Sequence, residues 1–370
     1  MPTNPDQTPS RSLGLDLLRA IAVMMVLTSH WASHLGYWFD AHLPPVVDIT
    51  GDVGVEIFFA LSGFLIGRIL IGIAGSHPTW RDFRVFMIRR GMRTLPLYFL
   101  WLAILLCVFP PRQDALITAL RFLTLTQNLI AAMPADYYFV VTWSLAIEEW
   151  FYLLFGAALI FSARRLGGAR ALSWCLVAFI VAPLVLRLAY AERGPLVFFR
   201  IDEIAYGVLM ARLYCIQNAV FRHKWPTLAA GLTLVGVALF ATLPMPPEIA
   251  VPLTANIEVI GGALCLPAAL RLRSAAAWFA TPVRWIATRS YALYLIHLTI
   301  LVDVAENRLF EPGLMPAVAC AILAIGLPFP LAELSYRLLE KPLLQCRPSQ
   351  HRASAPRPPA LPQGAVVAPV

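Results

Sequence analysis

The sequence predicts an all-α polytopic membrane protein with about ten transmembrane helices and one further re-entrant or interfacial segment. Three observations carry that prediction. Of 370 residues, 59% are hydrophobic and 14% charged, against about 25% charged in a soluble domain, and the mean hydropathy is +0.71. The apolar stretches run for about 20 residues, the helical crossing length, and do not alternate every second residue as barrel strands do. No long polar stretch divides the chain. Residues 13–343 therefore read as one membrane domain, between a polar, Pro-containing segment (1–12) and a Pro/Ala-rich tail (344–370) without acidic residues, both expected to be disordered.

The first span, 13–37, reads LGLDLLRAIAVMMVLTSHWASHLGY. Arg19 lies inside it and no small-residue cleavage site follows, so it reads as a retained helix rather than a signal peptide. It also holds Asp16, His30 and His34. Ionisable groups in lipid are costly, which makes such residues functional candidates. Arg19 and His30 are separated by about 16 Å of helix, roughly half the hydrocarbon thickness. The second span, 53–74, carries a GxxxG at Gly63 and Gly67, suited to close helix packing. A loop over 75–93 follows, with Arg81, Arg84, Arg89, Arg90 and Arg93, and the third span is 94–109. Residues 115–133 are apolar but contain Arg121, Gln127 and Asn128. The fourth span, 143–161, starts within TWSLAIEEWFYLLF. The remaining spans are 172–190, 201–216, 227–243, 252–270, 285–305 and 314–339.

Charge placement orients these spans. Basic residues fall in alternate connections, at 81–93, 164–170, 212–224, 271–284 and 341–352; the opposite connections carry Asp40, Asp48, Asp52, Asp114, Asp136, Glu192, Glu248, Glu306 and Glu311. The split is clean only if 115–133 does not cross. It implies a multi-pass protein of the inner (cytoplasmic) membrane with both termini in the cytoplasm. It also turns the net charge of +8 into an orientation signal and excludes nucleic acid as partner. Six scattered cysteines (Cys107, Cys175, Cys215, Cys265, Cys320, Cys346) form no CxxC and no His/Cys spacing, so neither a disulfide framework nor a metal site is expected.

Five constellations could carry chemistry. His30, partly out of water, suits a general base, and equally a hydrogen-bonded histidine near an interface; His34 reads as interfacial. Arg89, Arg90 and Arg93 read as a helix anchor or as a phosphate clamp for a cytoplasmic donor such as a coenzyme A thioester. Glu148 and Glu149 point about 100° apart on a helix, so at least one faces the bundle, to orient His30 or to pair with an arginine. Arg200, Asp202 and Glu203 suit a local ion pair between Arg200 and Glu203, with acceptor binding as the other reading. Tyr291, Tyr294 and His297 in RSYALYLIH read as packing rather than as a cavity wall.

The segments LDLLRAIAVMMVLTSH, GVEIFFALSGFLI, RRGMRTLPLY, LTLTQN, WSLAIEEWFYL, RIDEIAYGVLMA, SYALYLIH and EKP occur in that order. Together they resemble the acyltransferase-3 family, integral-membrane O-acyltransferases of bacterial surface glycans and some secondary metabolites, over about residues 13–343. The resemblance implies that His30 is catalytic. It implies roles for Arg19, Arg89, Arg90 and Arg93 at the acyl-CoA donor, and for Trp143, Ser144, Glu148 and Glu149 in the site. Some relatives carry an added periplasmic hydrolase-like domain, and this chain looks like the stand-alone type.

The expected reaction moves an acyl group, most simply acetyl, from cytoplasmic acyl-CoA to a hydroxyl of a surface glycan or its lipid-linked precursor. No cofactor is expected to be bound; acyl-CoA is the donor substrate. His30 serves as general base or takes the acyl group itself, with Glu149 and Glu148 beside it as catalytic candidates, Ser62, Asn128 and Ser144 as candidate oxyanion partners, and Trp143, Ser144, Asn128, Arg200 and Asp202 as acceptor or supporting residues. A macrolide-like metabolite is the alternative acceptor. The rival class is a proton-coupled transporter or glycan exporter using His30 and Glu148 as a relay; the chain shows no internal repeat of the kind many transporters have.

Overall fold

The computed structural model describes residues 12–44, 46–111, 114–129, 138–190, 196–240, 247–309 and 313–348. The expected disordered ends (1–11 and 349–370), the acidic loop residues Asp136, Glu192 and Glu311, and residues 130–133 lie outside the described residues.

The chain is all-helical in these regions. In order the helices are α1 (Leu13–Trp38), α2 (Val46–Ala74), α3 (Trp80–Val108), α4 (Ala115–Leu123), α5 (Trp143–Leu166), α6 (Gly168–Tyr190), α7 (Val197–Arg200), α8 (Asp202–Cys215), α9 (Ala219–Arg222), α10 (Lys224–Phe240), α11 (Pro247–Leu264), α12 (Leu266–Ala269), α13 (Ala277–Leu298), α14 (Leu314–Gly326), α15 (Pro328–Ser335) and α16 (Lys341–Gln345). Two π-helical stretches, Thr299–Leu309 and Tyr336–Glu340, extend α13 and α15. Among the described residues, seven continuous helical stretches are long and apolar enough to cross a membrane: Leu13–Trp38, Val46–Ala74, Trp80–Val108, Val140–Leu166, Gly168–Arg187, Ala277–Glu306 and Met315–Gln345. The shorter apolar helices Lys224–Phe240 and Thr254–Ala269, with α8, match the three remaining expected spans.

α2 is the central helix, packed against α1, α8, α11 and α5. Its GxxxG lets α8 approach closely. A Cβ on Gly63 would lie 2.0 Å from the Ile204 carbonyl oxygen, and one on Gly207 2.8 Å from the Gly63 Cα. Only hydrogen fits at both positions, so the backbones touch. The same device docks α1 on α12: a Cβ on Gly14 would lie 1.8 Å from the Ala269 carbonyl oxygen, and the Gly14 amide donates to the Leu272 carbonyl just beyond α12 at 2.9 Å.

The structure redraws two of the expected segments. The arginine-rich stretch expected as a loop is helical from Trp80 onward, because Thr79 and Asp82 form a capping box that satisfies the first turn and arginine is a good helix former. Arg89 and Arg93 thus stand one turn apart on one face of α3. The last expected span, 314–339, runs on past Pro328 and a π-helical turn at Tyr336–Glu340, so that Leu344 and Gln345, expected in the tail, are helical. Within 115–133, α4 has only nine residues, about 13.5 Å, too short to cross. The chain then reverses through Leu125, whose φ is 56°. Tyr98 donates to the Phe122 carbonyl at 2.6 Å and Trp150 to that of Leu125 at 2.8 Å, so the turn is clamped by α3 and α5.

Candidate active site

A cavity of about 110 Å³ lies between α1, α2, α3, α5 and α13. Three arginines line it: Arg19 from α1, and Arg90 and Arg93 from α3. The rest of the wall is mixed. Glu148, Tyr152 and Ser144 come from α5, Ser62, Phe58 and Phe59 from α2, and Tyr291 and Tyr294 from α13. Guanidinium groups beside an apolar slot suit an amphiphilic donor with a phosphorylated head and a thin acyl arm.

The α3 face explains how the arginines and carboxylates coexist. Thr94 donates to Glu149 Oε1 at 2.7 Å. Tyr152 donates to Glu148 Oε2 at 2.7 Å, while Ser62 lies 2.5 Å from the Tyr152 hydroxyl. Arg90 sits over the Tyr152 ring at 5.8 Å. Both glutamates thus engage the arginine side of the cavity, and neither orients His30. Arg19 lies 3.8 Å from Asp16 on its own helix.

His30 stands beyond the opposite side and does not line the cavity. Its Nδ1 lies 2.9 Å from His297 Nε2, and the two rings stack with centroids 5.1 Å apart. His297 Nδ1 lies 2.8 Å from the Tyr294 carbonyl and 3.1 Å from that of Leu293. Carbonyls only accept, so His297 Nδ1 carries the proton and, in the neutral ring, its Nε2 is a bare acceptor. His30 Nδ1 must then be the donor, which leaves the lone pair on His30 Nε2. That is the tautomer a base requires.

Tyr294 joins the two regions. Its ring is 6.0 Å from that of His297 and 6.2 Å from Phe58 in the cavity wall. Its hydroxyl meets Ser144 at 2.8 Å and the Val141 carbonyl at 3.0 Å. Ser144 also reaches the Val141 carbonyl, at 3.3 Å. Two hydroxyl protons serve that carbonyl and each other, so in this arrangement Ser144 has no proton left for an oxyanion. Tyr291 donates to the Thr94 carbonyl at 2.7 Å. The reading of Tyr291, Tyr294 and His297 as packing is therefore corrected: the tyrosines are cavity wall and His297 is the partner of His30. The signal was present in the sequence as a Tyr-x-x-Tyr-x-x-His stripe at one-turn spacing.

The other candidates fall on the flanks. Trp143 lies under Arg200, 4.6 Å from guanidinium carbon to ring centre, and edge-on to Phe59. Arg200 pairs with Glu203 at 2.7 Å, as its one-turn spacing suggested, and also with Glu56. Asp202 instead takes a two-pronged pair from Arg187, at 2.9 and 2.6 Å. Asn128 is fully buried, its side-chain amide donates to the Trp143 carbonyl at 3.1 Å, and its main-chain carbonyl accepts from the Val197 amide at 3.0 Å. It clamps the α4 turn and does not line the cavity. His34 pairs with Glu306 of the π-stretch. Arg89 reaches the Pro348 carbonyl.

The family model described as "Acyltransferase domain" matches residues 12–333. The chain is 27% identical over 370 residues to "Putative peptidoglycan O-acetyltransferase YrhL" of Bacillus subtilis (strain 168), covering 89% of this chain and 54% of that protein. It is 26% identical over 364 residues to O-acetyltransferase OatA of Staphylococcus aureus (strain NCTC 8325 / PS 47), covering 89% and 57%. It is 25% identical over 370 residues to peptidoglycan O-acetyltransferase OatA of Listeria monocytogenes, covering 89% and 55%. The chain thus spans little more than half the length of these relatives. No solved structure matches it. With the family match running across the helices that build the cavity and the histidine pair, the chain belongs to the acyltransferase-3 family of membrane proteins.

Proposed function

We propose that this protein transfers an acetyl group from cytoplasmic acetyl-CoA to a hydroxyl of a cell-wall glycan or its lipid-linked precursor, with His30 as general base. The observation that supports this best is a juxtaposition: Tyr294 lines the arginine-lined cavity, and His297, one turn further along α13 with its ring 6.0 Å from that of Tyr294, meets His30 at 2.9 Å. The relatives' names supply the acetyl group and the peptidoglycan acceptor.

In this reading the donor phosphates meet Arg90, Arg93 and Arg19, and the thioester arm follows the apolar wall toward Tyr294. His30 Nε2 takes the proton of the acceptor hydroxyl as its oxygen attacks the thioester carbonyl. The carbon–sulfur bond breaks as the tetrahedral intermediate collapses, and the protonated His30 returns the proton to the departing thiolate. His297 holds the required tautomer throughout, the role a buried carboxylate plays toward the histidine of a serine-hydrolase triad. Positive-inside orientation puts the arginines toward the cytoplasm, where acetyl-CoA is made, and His30 toward the acceptor. A donor and an acceptor on opposite sides thus meet inside the bundle.

Membranes containing the protein, incubated with radiolabelled acetyl-CoA and a cell-wall glycan fraction, should transfer label to the glycan. A transporter using His30 and Glu148 as a proton relay would instead acidify or alkalinise sealed vesicles on adding its substrate, without labelling any glycan.

A further inference from the structure

We propose that Arg347 is a further donor-binding residue that, with Arg89, grips the outermost phosphate of the donor, the ribose 3′-phosphate of coenzyme A. The inference rests on the donor reading above. After α16 the chain lies against α3, where Arg89 donates to the Pro348 carbonyl. That contact holds Arg347 in range of Arg93, Arg90 and Arg89, three like charges. Its Nε and Nη2 are buried and have no hydrogen-bond partner among the described residues. Burial, then repulsion from these arginines, pushes its guanidinium down to about 10. The acidic groups nearby belong to its neighbours: Glu340 faces Arg93, and Glu148 and Glu149 face Arg90.

Buried guanidinium donors without acceptors are costly, and a phosphate oxygen is the acceptor whose geometry and charge match them. Position sets which phosphate. Arg90 and Arg93 line the cavity, whereas Arg89 and Arg347 do not. A coenzyme A thioester is linear, with its pyrophosphate next to the pantetheine arm and its 3′-phosphate beyond. With the thioester inward, the pyrophosphate meets Arg90 and Arg93, and the 3′-phosphate, carrying about two negative charges, meets Arg89 and Arg347. An anionic lipid headgroup offers the same chemistry and is the source to be separated.

The test is calorimetric binding of coenzyme A and of 3′-dephospho-coenzyme A to the purified full chain, in wild type, R347Q, R347K and R93Q, with thermal unfolding as the control for folding. R347Q should weaken coenzyme A by about tenfold or more, leave dephospho-coenzyme A unchanged, and be partly rescued in R347K. Equal coenzyme A affinity in R347Q and wild type, with R93Q weakened, would overturn the Arg347 assignment and leave the donor reading intact. No coenzyme A binding to wild type would overturn both. If R347Q instead lost phosphatidylglycerol binding in nanodiscs while binding coenzyme A normally, the site would be a lipid contact and the assignment would fall.

Discussion

His297 Nε2 accepts a 2.9 Å hydrogen bond from His30 Nδ1, and backbone carbonyls on the far side of His297 fix the direction of that bond. If His30 is the base, His297→Ala removes a positioning group and should lower kcat by about a hundredfold or more, with little change in KM for acetyl-CoA. His297→Gln, whose amide oxygen can accept from His30 Nδ1, should recover part of the loss. Transfer rates at saturating donor check both; a purely structural role would show as equal loss in the two variants and a lowered melting temperature.

The cavity arginines make a separate prediction. Arg93→Ala should raise KM for acetyl-CoA at least tenfold and change kcat less, because Arg93 lines the cavity on the side away from His30. Arg93→Lys should fall between, since an ammonium keeps the charge and loses the fork. Initial-rate kinetics over a range of acetyl-CoA concentrations check this.

The Arg187–Asp202 pair is buried, with side chains 6% and 0% exposed. Removing one partner leaves a charge stranded in the bundle, so Asp202→Ala should destabilise by about 3–5 kcal/mol. Arg187→Met together with Asp202→Leu should restore much of that. Thermal unfolding in detergent distinguishes the single from the double variant.

Gly207 tests the close contact of α2 and α8. An alanine Cβ there would lie 2.4 Å from the Ala60 carbonyl oxygen, so Gly207→Ala should cost about 1–3 kcal/mol. Gly236, with nothing near its Cβ position, should accept alanine without loss. The melting temperatures of the two variants provide the comparison.

How much of this was legible in the sequence depends on which force set each feature. Apolar length and arginine placement are local properties of the chain, so the spans could be read directly, and the charge split carried the expectation that 115–133 does not cross. Gly63 and Gly67 announced a close helix contact because only small residues permit it, and the structure names α8 as the partner. The start of α3 was misread since the arginines outweighed the Thr79–Asp82 cap in a hydropathy reading. The partners of the glutamates were not legible: Thr94 and Glu149 are 55 residues apart and meet through tertiary packing alone. The Tyr-x-x-Tyr-x-x-His stripe marked the α13 face that carries His297, but its pairing with His30, 267 residues away, is set by tertiary packing and was not legible.

The central claim is that His30 performs the proton transfer in acetyl transfer to a hydroxyl. The most direct measurement is label transfer from radiolabelled acetyl-CoA to a cell-wall glycan acceptor, comparing wild type with His30→Ala at matched expression and matched acetyl-CoA binding. The account predicts transfer by wild type and a loss of at least about a hundredfold in the variant. Equal transfer by the two proteins would contradict it.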